Sequence, residues 1–416
     1  MSITDESDAA WLENRLREID RFNETPGAGT TRPVYTKAFF RARDYVRQVM
    51  LDLGLTVKED CVGNLFGKYA GMKPDLPPVW TGSHIDTVPN GGRYDGLAGV
   101  FAGLAAVRSL RAQGKVPRRT ISVNVYAGEE MSRFGKCCIG SRAISGQLDV
   151  TDLQSACDSN GMSIYTALEQ AGMHPDRFTK QLPLSNPVHA HVELHIEQND
   201  ILEKKHIPVG IVTGICAPTN LVCTVKGVQG HAGGRSMKDR RDAYMAAAEL
   251  ALTLEKLTRE SDSAYITATV GEVTLTPGAA NVIPGQVEFT IDIRSISAED
   301  KDRLVQAFRE AAMEIGGKRH VDVSLRMLNN DRPYLCDDHI RTILHKETGL
   351  QRIPVSDIVS GPYHDSLILS DRMPAGMLFI PCRNGVSHDR AEAIDIQDLV
   401  LGTRLLTASL WRLADE

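Results

Sequence analysis

The sequence has no apolar run long enough to span a bilayer. Its first residues, MSITDESDAAWLENRL, read as acidic and helical, with neither a basic n-region nor an apolar h-region, so the expected location is the cytoplasm. There is no surplus of positive charge: 47 Lys and Arg stand against 53 Asp and Glu, a net charge of −6. That balance argues against nucleic acid as a partner. No Cys-x-x-Cys pair occurs among the 8 cysteines and no small disulfide framework is suggested. Free thiols in a reducing compartment are expected, and the adjacent Cys137 and Cys138 read as packing residues. No internal repeat or low-complexity tract is present. What remains is an ordinary globular composition, 42% hydrophobic and 24% charged, in a chain of 416 residues that should form more than one domain.

The most informative stretch is Thr81 to Gly96, TGSHIDTVPNGGRYDG. A short apolar run, Pro78-Val79-Trp80, leads into it, so His84 falls where a buried strand runs out into a loop. Asp86 is close enough to orient the His84 ring as a carboxylate behind a metal-bound imidazole does. Asp95 follows a glycine-permitted turn, and Leu97 to Leu110 reads as a helix. A histidine and two aspartates on such a loop resemble half of a metal site. Taken alone, the stretch equally suits an Asp/Gly turn beside a satisfied histidine.

Other strand ends add to it. Thr120 to Ala127 reads as a strand ending at Gly128-Glu129-Glu130, Val188 to Leu194 runs into His195, and Met377 to Pro381 leads through Arg383-Asn384-Gly385 to His388. A Glu-Glu pair after a strand is more often a helix N-terminus. The convergence of His84 with Asp95, of Glu129 with Glu130, of His195 and of His388 on one sheet edge lifts the set above that reading.

Two divalent ions need about four ligands each and a bridging carboxylate between them. His84 and His195 would bind one ion, Glu130 and His388 the other, and Asp95 would bridge. Zn²⁺ suits these ligands, with Mn²⁺ or Co²⁺ as alternatives. Glu129, beside a ligand but pointing elsewhere, is the expected general base for the water and proton donor to the leaving nitrogen.

Between about Thr213 and Asn329 the pattern changes to βαββαβ, the ferredoxin-like split unit. The expected fold is an α/β domain made discontinuous by that insertion: residues 1–212 and 330–416 for the domain carrying the candidate metal site, 213–329 for the inserted domain.

The segments TGSHIDTVPNGGRYDG, AGEE, ELHIEQ and GVSHD together resemble the di-zinc amidohydrolases of the aminoacylase and carboxypeptidase superfamily. ELHIEQ marks the branch of N-carbamoyl-L-amino-acid hydrolases, β-ureidopropionases and allantoate amidohydrolases. GAGTTRPVYT and GNLFG extend the resemblance from about Arg15 to the end of the chain. It implies the same five ligands and Glu129 as catalytic acid/base. It further implies a metallopeptidase-like catalytic domain, an insertion that serves as dimerisation or lid domain, and a homodimer in which His231, in GHAG, reaches the neighbouring subunit's site and stabilises an oxyanion. Asn281 and Arg294 would grip a substrate carboxylate, for which a planar guanidinium is apt. Gln198 would touch the ureido group, and Gly361 and His364 would border the substrate. The chain departs from relatives at Gly234-Arg235-Ser236-Met237 and at Pro362-Tyr363. The expected reaction is hydrolysis of an N-carbamoyl-L-amino acid to the amino acid, CO₂ and ammonia, with allantoate as second candidate and a zinc aminopeptidase or dipeptidase more distant. A metal-bound scaffold or binding protein would not need Glu129.

Overall fold

The computed structural model describes residues 5–178 and 187–416. Of the helical N-terminal stretch, Met1 to Thr4 lie outside the described residues, and the remainder is the helix Asp5–Ile19. The chain divides into two compact units. One comprises Met1–Thr213, Cys336–Ile358 and His364–Glu416, the other Gly214–Leu335 and Val359–Tyr363.

In the first unit the strands lie in the order Thr56–Glu59, Leu65–Tyr69, Ile121–Tyr126, Val79–His84, Ala190–Ile196, Ala375–Ile380 and Val209–Ile215. The four from Ile121–Tyr126 to Ala375–Ile380 run parallel, and those flanking them are antiparallel. Every residue of the four is buried, as strands covered on both faces must be. The strand before His84 is longer than its short apolar run suggests, because Thr81 and Ser83 are buried inside it. Ser83 Oγ is tolerated there because it donates to Glu193 Oε1 at 2.7 Å.

The apolar helix Leu97–Ala112 packs onto this sheet and against the amphipathic C-terminal helix Ile396–Asp415. The approach is close: a Cβ on Gly99 would lie 2.1 Å from the carbonyl oxygen of Leu194. Parallel strands present their carboxyl ends along one edge, and that edge carries the chemistry. His84 ends its strand, His195 is next to last in its own, Glu129 and Glu130 follow Tyr126, and His388 lies in the loop after Ile380.

The second unit has the expected βαββαβ order: Ala217–Lys226, helix Ala243–Arg259, Ile266–Thr276, Gln286–Ser295, helix Ala298–Arg319 and Asp322–Asn330. Its antiparallel sheet runs Asp322–Asn330, Ala217–Lys226, Gln286–Ser295, Ile266–Thr276, with the first and third strands central, the ferredoxin-like arrangement. Alternate residues Val287, Phe289, Ile291 and Ile293 point into its core with Leu221, Cys223 and Val225. Asp242 and Ser297 cap the two helices.

Candidate metal centre

The loop from His84 to Gly96 is held from behind by the early Gly-Ala-Gly-Thr-Thr-Arg segment. Thr30 pairs with Gly91. The side chain of Arg32 is fully buried; its Nε donates to the carbonyl of Ile85 at 2.7 Å and its Nη1 to those of Ile19 and Phe22 at 3.2 and 3.0 Å. A buried guanidinium thus fixes the peptide between His84 and Asp86. Gly96, at φ 68°, turns the chain into the following helix so that Asp95 faces the strand ends.

Three imidazoles converge on Asp95. Its Oδ1 lies 3.0 Å from His195 Nε2 and 3.5 Å from His84 Nε2, and its Oδ2 lies 3.2 Å from His388 Nε2. Glu130 Oε1 is 3.2 Å from the same His388 nitrogen. Donor atoms of His84, Asp95 and His195 form one cluster able to hold an ion, and those of Asp95, Glu130 and His388 form another. The sets share Asp95. All five proposed ligands are therefore brought together, with His84, Asp95, Glu130 and His195 buried and His388 half-exposed.

The hydrogen-bond chemistry fits a cation. His84 Nδ1 is 3.0 Å from the carbonyl of Asp86, and His195 Nδ1 is 2.9 Å from that of Ile196. A carbonyl only accepts, so both Nδ1 atoms carry hydrogen. The amide of Gly96 donates to His195 Nε2 at 3.2 Å, which makes that nitrogen an acceptor facing the Asp95 carboxylate. Lone pairs facing one another in a dry site need positive charge between them, from an ion or from protons. Against the upward push of burial, the neighbouring His195, His388 and His84 hold Asp95 well below the usual carboxylate range. His388 is pushed up to about 10 by its hydrogen bonds to Asp95 and Glu130.

Glu129 stands beside the cluster, its Oε2 3.9 Å from His84 Nε2, and it belongs to neither ligand set. Burial, reinforced by Glu130, Asp365 and Asp95 and opposed by His84, pushes its carboxyl well above the ordinary range. The turn carrying the two glutamates is fixed by Asp86, whose carboxylate accepts from the amides of Gly128 and Glu130 at 3.0 Å each. This corrects the expectation for Asp86. It orients His84 through its backbone carbonyl, while its carboxylate stays 3.9 Å from the ring because it is committed to that turn. Cys138 is also more than packing: its Sγ is 3.9 Å from Glu129 Oε1, and its amide donates to the Glu129 carbonyl at 3.0 Å.

Gln198 gives its amide hydrogens to Asp95 Oδ2 at 2.8 Å and Ser387 Oγ at 3.3 Å, and its buried Oε1 has no partner among the described residues. His364 is buried with its ring centroid 4.5 Å from that of His195 and 5.7 Å from that of Phe379. Burial, and then the neighbouring His195, keep it neutral by holding its pKa well below the usual histidine value.

The remaining predicted residues lie in the second unit. His231 and Asn281 are neighbours there: Val282 pairs with His231 across a two-stranded ladder, and the amide of Ala232 donates to the Asn281 carbonyl at 2.9 Å. Both side chains are exposed. Arg294, on the strand Gln286–Ser295, forks onto Asp292 with its Nε at 2.8 Å and Nη2 at 3.2 Å. Gly361 packs beside Tyr265, whose hydroxyl would lie 2.3 Å from an added Cβ. Sequence reasoning missed Arg32, Ser387 and Glu392. None of the three carries a ligand-like spacing, and Glu392 acts on backbone amides, which no motif records.

Residues 80–412 match peptidase family M20/M25/M40. A ureidoglycolate hydrolase of Oryza sativa is 37% identical over 411 residues, 98% of this chain and 85% of its own length. An N-carbamoyl-L-amino acid amidohydrolase of Geobacillus stearothermophilus is 37% identical over 403 residues, covering 97% of this chain and 98% of its own. The crystal structure of a hydantoinase/carbamoylase family amidase from Burkholderia multivorans superposes with a TM-score of 0.90 at 31% identity, covering 98% of each chain.

Proposed function

Because the chain belongs to the M20/M25/M40 peptidase family and, within it, to the hydantoinase/carbamoylase amidohydrolases, it is a hydrolase of C–N bonds in linear amides, and we propose that its substrate is an α-ureido carboxylate. N-Carbamoyl amino acids, ureidoglycolate and allantoate all contain H₂N–CO–NH–CHX–COO⁻ and differ only in X. An N-carbamoyl-L-amino acid, giving the amino acid, CO₂ and ammonia, stays the first candidate. Ureidoglycolate now stands beside allantoate as an alternative, since the rice relative carries that name at equal identity.

Enzymes of this family use divalent metal ions. In our reading His84, His195 and Asp95 hold one ion and Glu130, His388 and Asp95 the other, with Zn²⁺ favoured and Mn²⁺ or Co²⁺ possible for the same donors. The observation that carries this reading is the sharing of Asp95 by the two ligand clusters. Such a pair supplies positive charge that acidifies water and polarises the ureido carbonyl. Glu129 takes the proton from the water and returns it to the leaving nitrogen, a task suited to a carboxyl whose pKa burial has raised. Gln198 keeps Asp95 Oδ2 in place and offers its unpartnered Oε1 to a ureido N–H.

Asn281 and Arg294 hold the substrate carboxylate, and His231 of a second copy donates to the oxygen on which charge develops. The second unit thereby serves as dimerisation and lid domain. Its exposed edge strand Ile266–Thr276 offers a surface for a twin. Gly361 and His364 border the substrate, His364 by setting the position of the His195 ring. The thiols of Cys61, Cys216, Cys223, Cys336 and Cys382 are buried and in no disulfide among the described residues, in keeping with a cytoplasmic location.

The test is turnover by metal-loaded protein of N-carbamoyl amino acids, ureidoglycolate, allantoate and dipeptides, reading ammonia and amine release. Hydrolysis of dipeptides alone would overturn the ureido assignment.

A further inference from the structure

Asp95 and His388 reach the centre from separate loops, and one further, acidic side chain ties those loops together. Glu392 is buried, at 5% exposure. Its Oε1 accepts the backbone N–H groups of Tyr94 at 2.8 Å and of Asp95 at 3.2 Å. Its Oε2 lies 3.1 Å from Ser387 Oγ, and that hydroxyl lies 3.1 Å from Asp95 Oδ2. The contacts close a ring that runs from the Asp95 amide through Glu392 and Ser387 back to the Asp95 carboxylate, with Ser387 adjacent to His388. Gly92 makes room for it, since a Cβ there would stand 2.0 Å from Glu392 Cδ and 2.1 Å from Oε1.

We propose that Glu392, acting through Ser387, is a positioning residue that fixes the carboxylate of Asp95 against His388, so that Asp95, Glu130 and His388 can hold an ion together. The inference rests on the two-ion reading above. Ligand distances tolerate only a few tenths of an ångström, roughly ±0.2 Å. A ligand whose peptide and side chain are both pinned meets that tolerance without reorganising when the ion arrives. Glu392 touches neither ion nor substrate in this scheme. Removing it takes the acceptor from the N–H groups of Tyr94 and Asp95, the second of them buried, and frees Asp95 to turn.

The experiment is calorimetric titration of metal-free protein with Zn²⁺, with circular dichroism to verify the fold, for the parent, Glu392→Ala, Glu392→Gln and Gly92→Ala. The parent should bind two ions per chain. Glu392→Ala should weaken one of them by about 10–100-fold, the range for partners that orient ligands. Glu392→Gln should recover most of that loss, because its amide oxygen still accepts both N–H groups and its NH₂ can donate to Ser387, leaving the Ser387 hydrogen for Asp95. Gly92→Ala, which must displace the Glu392 carboxylate, should reproduce the loss, and it decides the matter should Glu392→Ala not fold. An Ala variant that binds both ions as the parent does overturns the positioning role, and so does a Gln variant as weak as Ala. A parent that binds no ion overturns the two-ion reading itself.

Discussion

Gly96 and His84 are packed so tightly that a side chain on the first has no room beside the second: a Cβ on Gly96 would lie 2.6 Å from Nε2, Cδ2 and Cε1 of the ring. The backbone there is at φ 68°, which already costs a non-glycine residue about 1–3 kcal/mol. Gly96→Ala should therefore move the ring that offers Nε2 to Asp95. The expected result is weaker metal binding and lower turnover, measured by titration and rate, with a modest fall in Tm. Full metal affinity in this variant would mean that His84 is not held where the ion needs it.

Stripping the protein with a chelator should abolish hydrolysis while leaving the fold largely intact. The proposed ligands lie at one edge of a sheet whose four central strands are buried without help from an ion. Zn²⁺, Mn²⁺ or Co²⁺ should restore activity. Undiminished turnover by fully demetallated protein would remove the two-ion mechanism.

Glu129→Gln should keep both ions and lower the rate by something like 10²–10⁴-fold, the usual loss for a missing general base. Asp95→Ala should instead lose metal, because it is the only residue common to its two clusters. Elemental analysis alongside the rate separates the two outcomes. Loss of metal from Glu129→Gln would place that residue among the ligands.

The contrast between those two variants follows from what a linear sequence can carry. His84, Glu129, Glu130, His195 and His388 were legible because strand ends can be read from apolar runs, and parallel strands bring their ends to one edge. The second unit was legible for a related reason: periods near 2 and 3.6 alternate cleanly through Val287 to Ile293 and through its helices. For Asp86 the spacing predicts the right neighbour and the wrong atom, since it cannot distinguish a carbonyl from a carboxylate two residues away. Arg32 and Glu392 were not legible at all. Their roles are exerted on backbone groups of distant segments, Ile85 for one and Tyr94 with Asp95 for the other.

Metal-free protein should also show a defined pH dependence. His388 is raised from an ordinary 6.5 to about 10, first by Asp95 and then by Glu130. A histidine with a raised folded-state pKa contributes stability that is fully present below 6.5 and is lost as pH rises through about 10. The Tm advantage of metal-free parent over metal-free His388→Ala should thus be largest near pH 6 and close towards pH 10. The ring is half-exposed, so solvent reduces the effect. A gap that widened with pH would contradict the pairing of His388 with Asp95 and Glu130.

The last prediction concerns His231. Its side chain is exposed beside Asn281 on the second unit and, among the described residues, makes only a local contact, Nδ1 accepting from the amide of Gly233 at 3.1 Å. A free imidazole on an exposed ladder is available to another copy of the chain. If His231 completes a partner's site, then inactive His231→Ala chains mixed with inactive Glu129→Gln chains should regain activity. In each heterodimer one site would combine an intact Glu129 from one chain with an intact His231 from the other, and the second site would lack both. Random exchange makes half the dimers mixed, so the expected recovery is about a quarter of parental turnover. Subunit exchange should be followed in the same sample by mass spectrometry of differently tagged chains. Heterodimers that form and stay inactive, or a stable monomer with full activity, would show that His231 does not act across the interface.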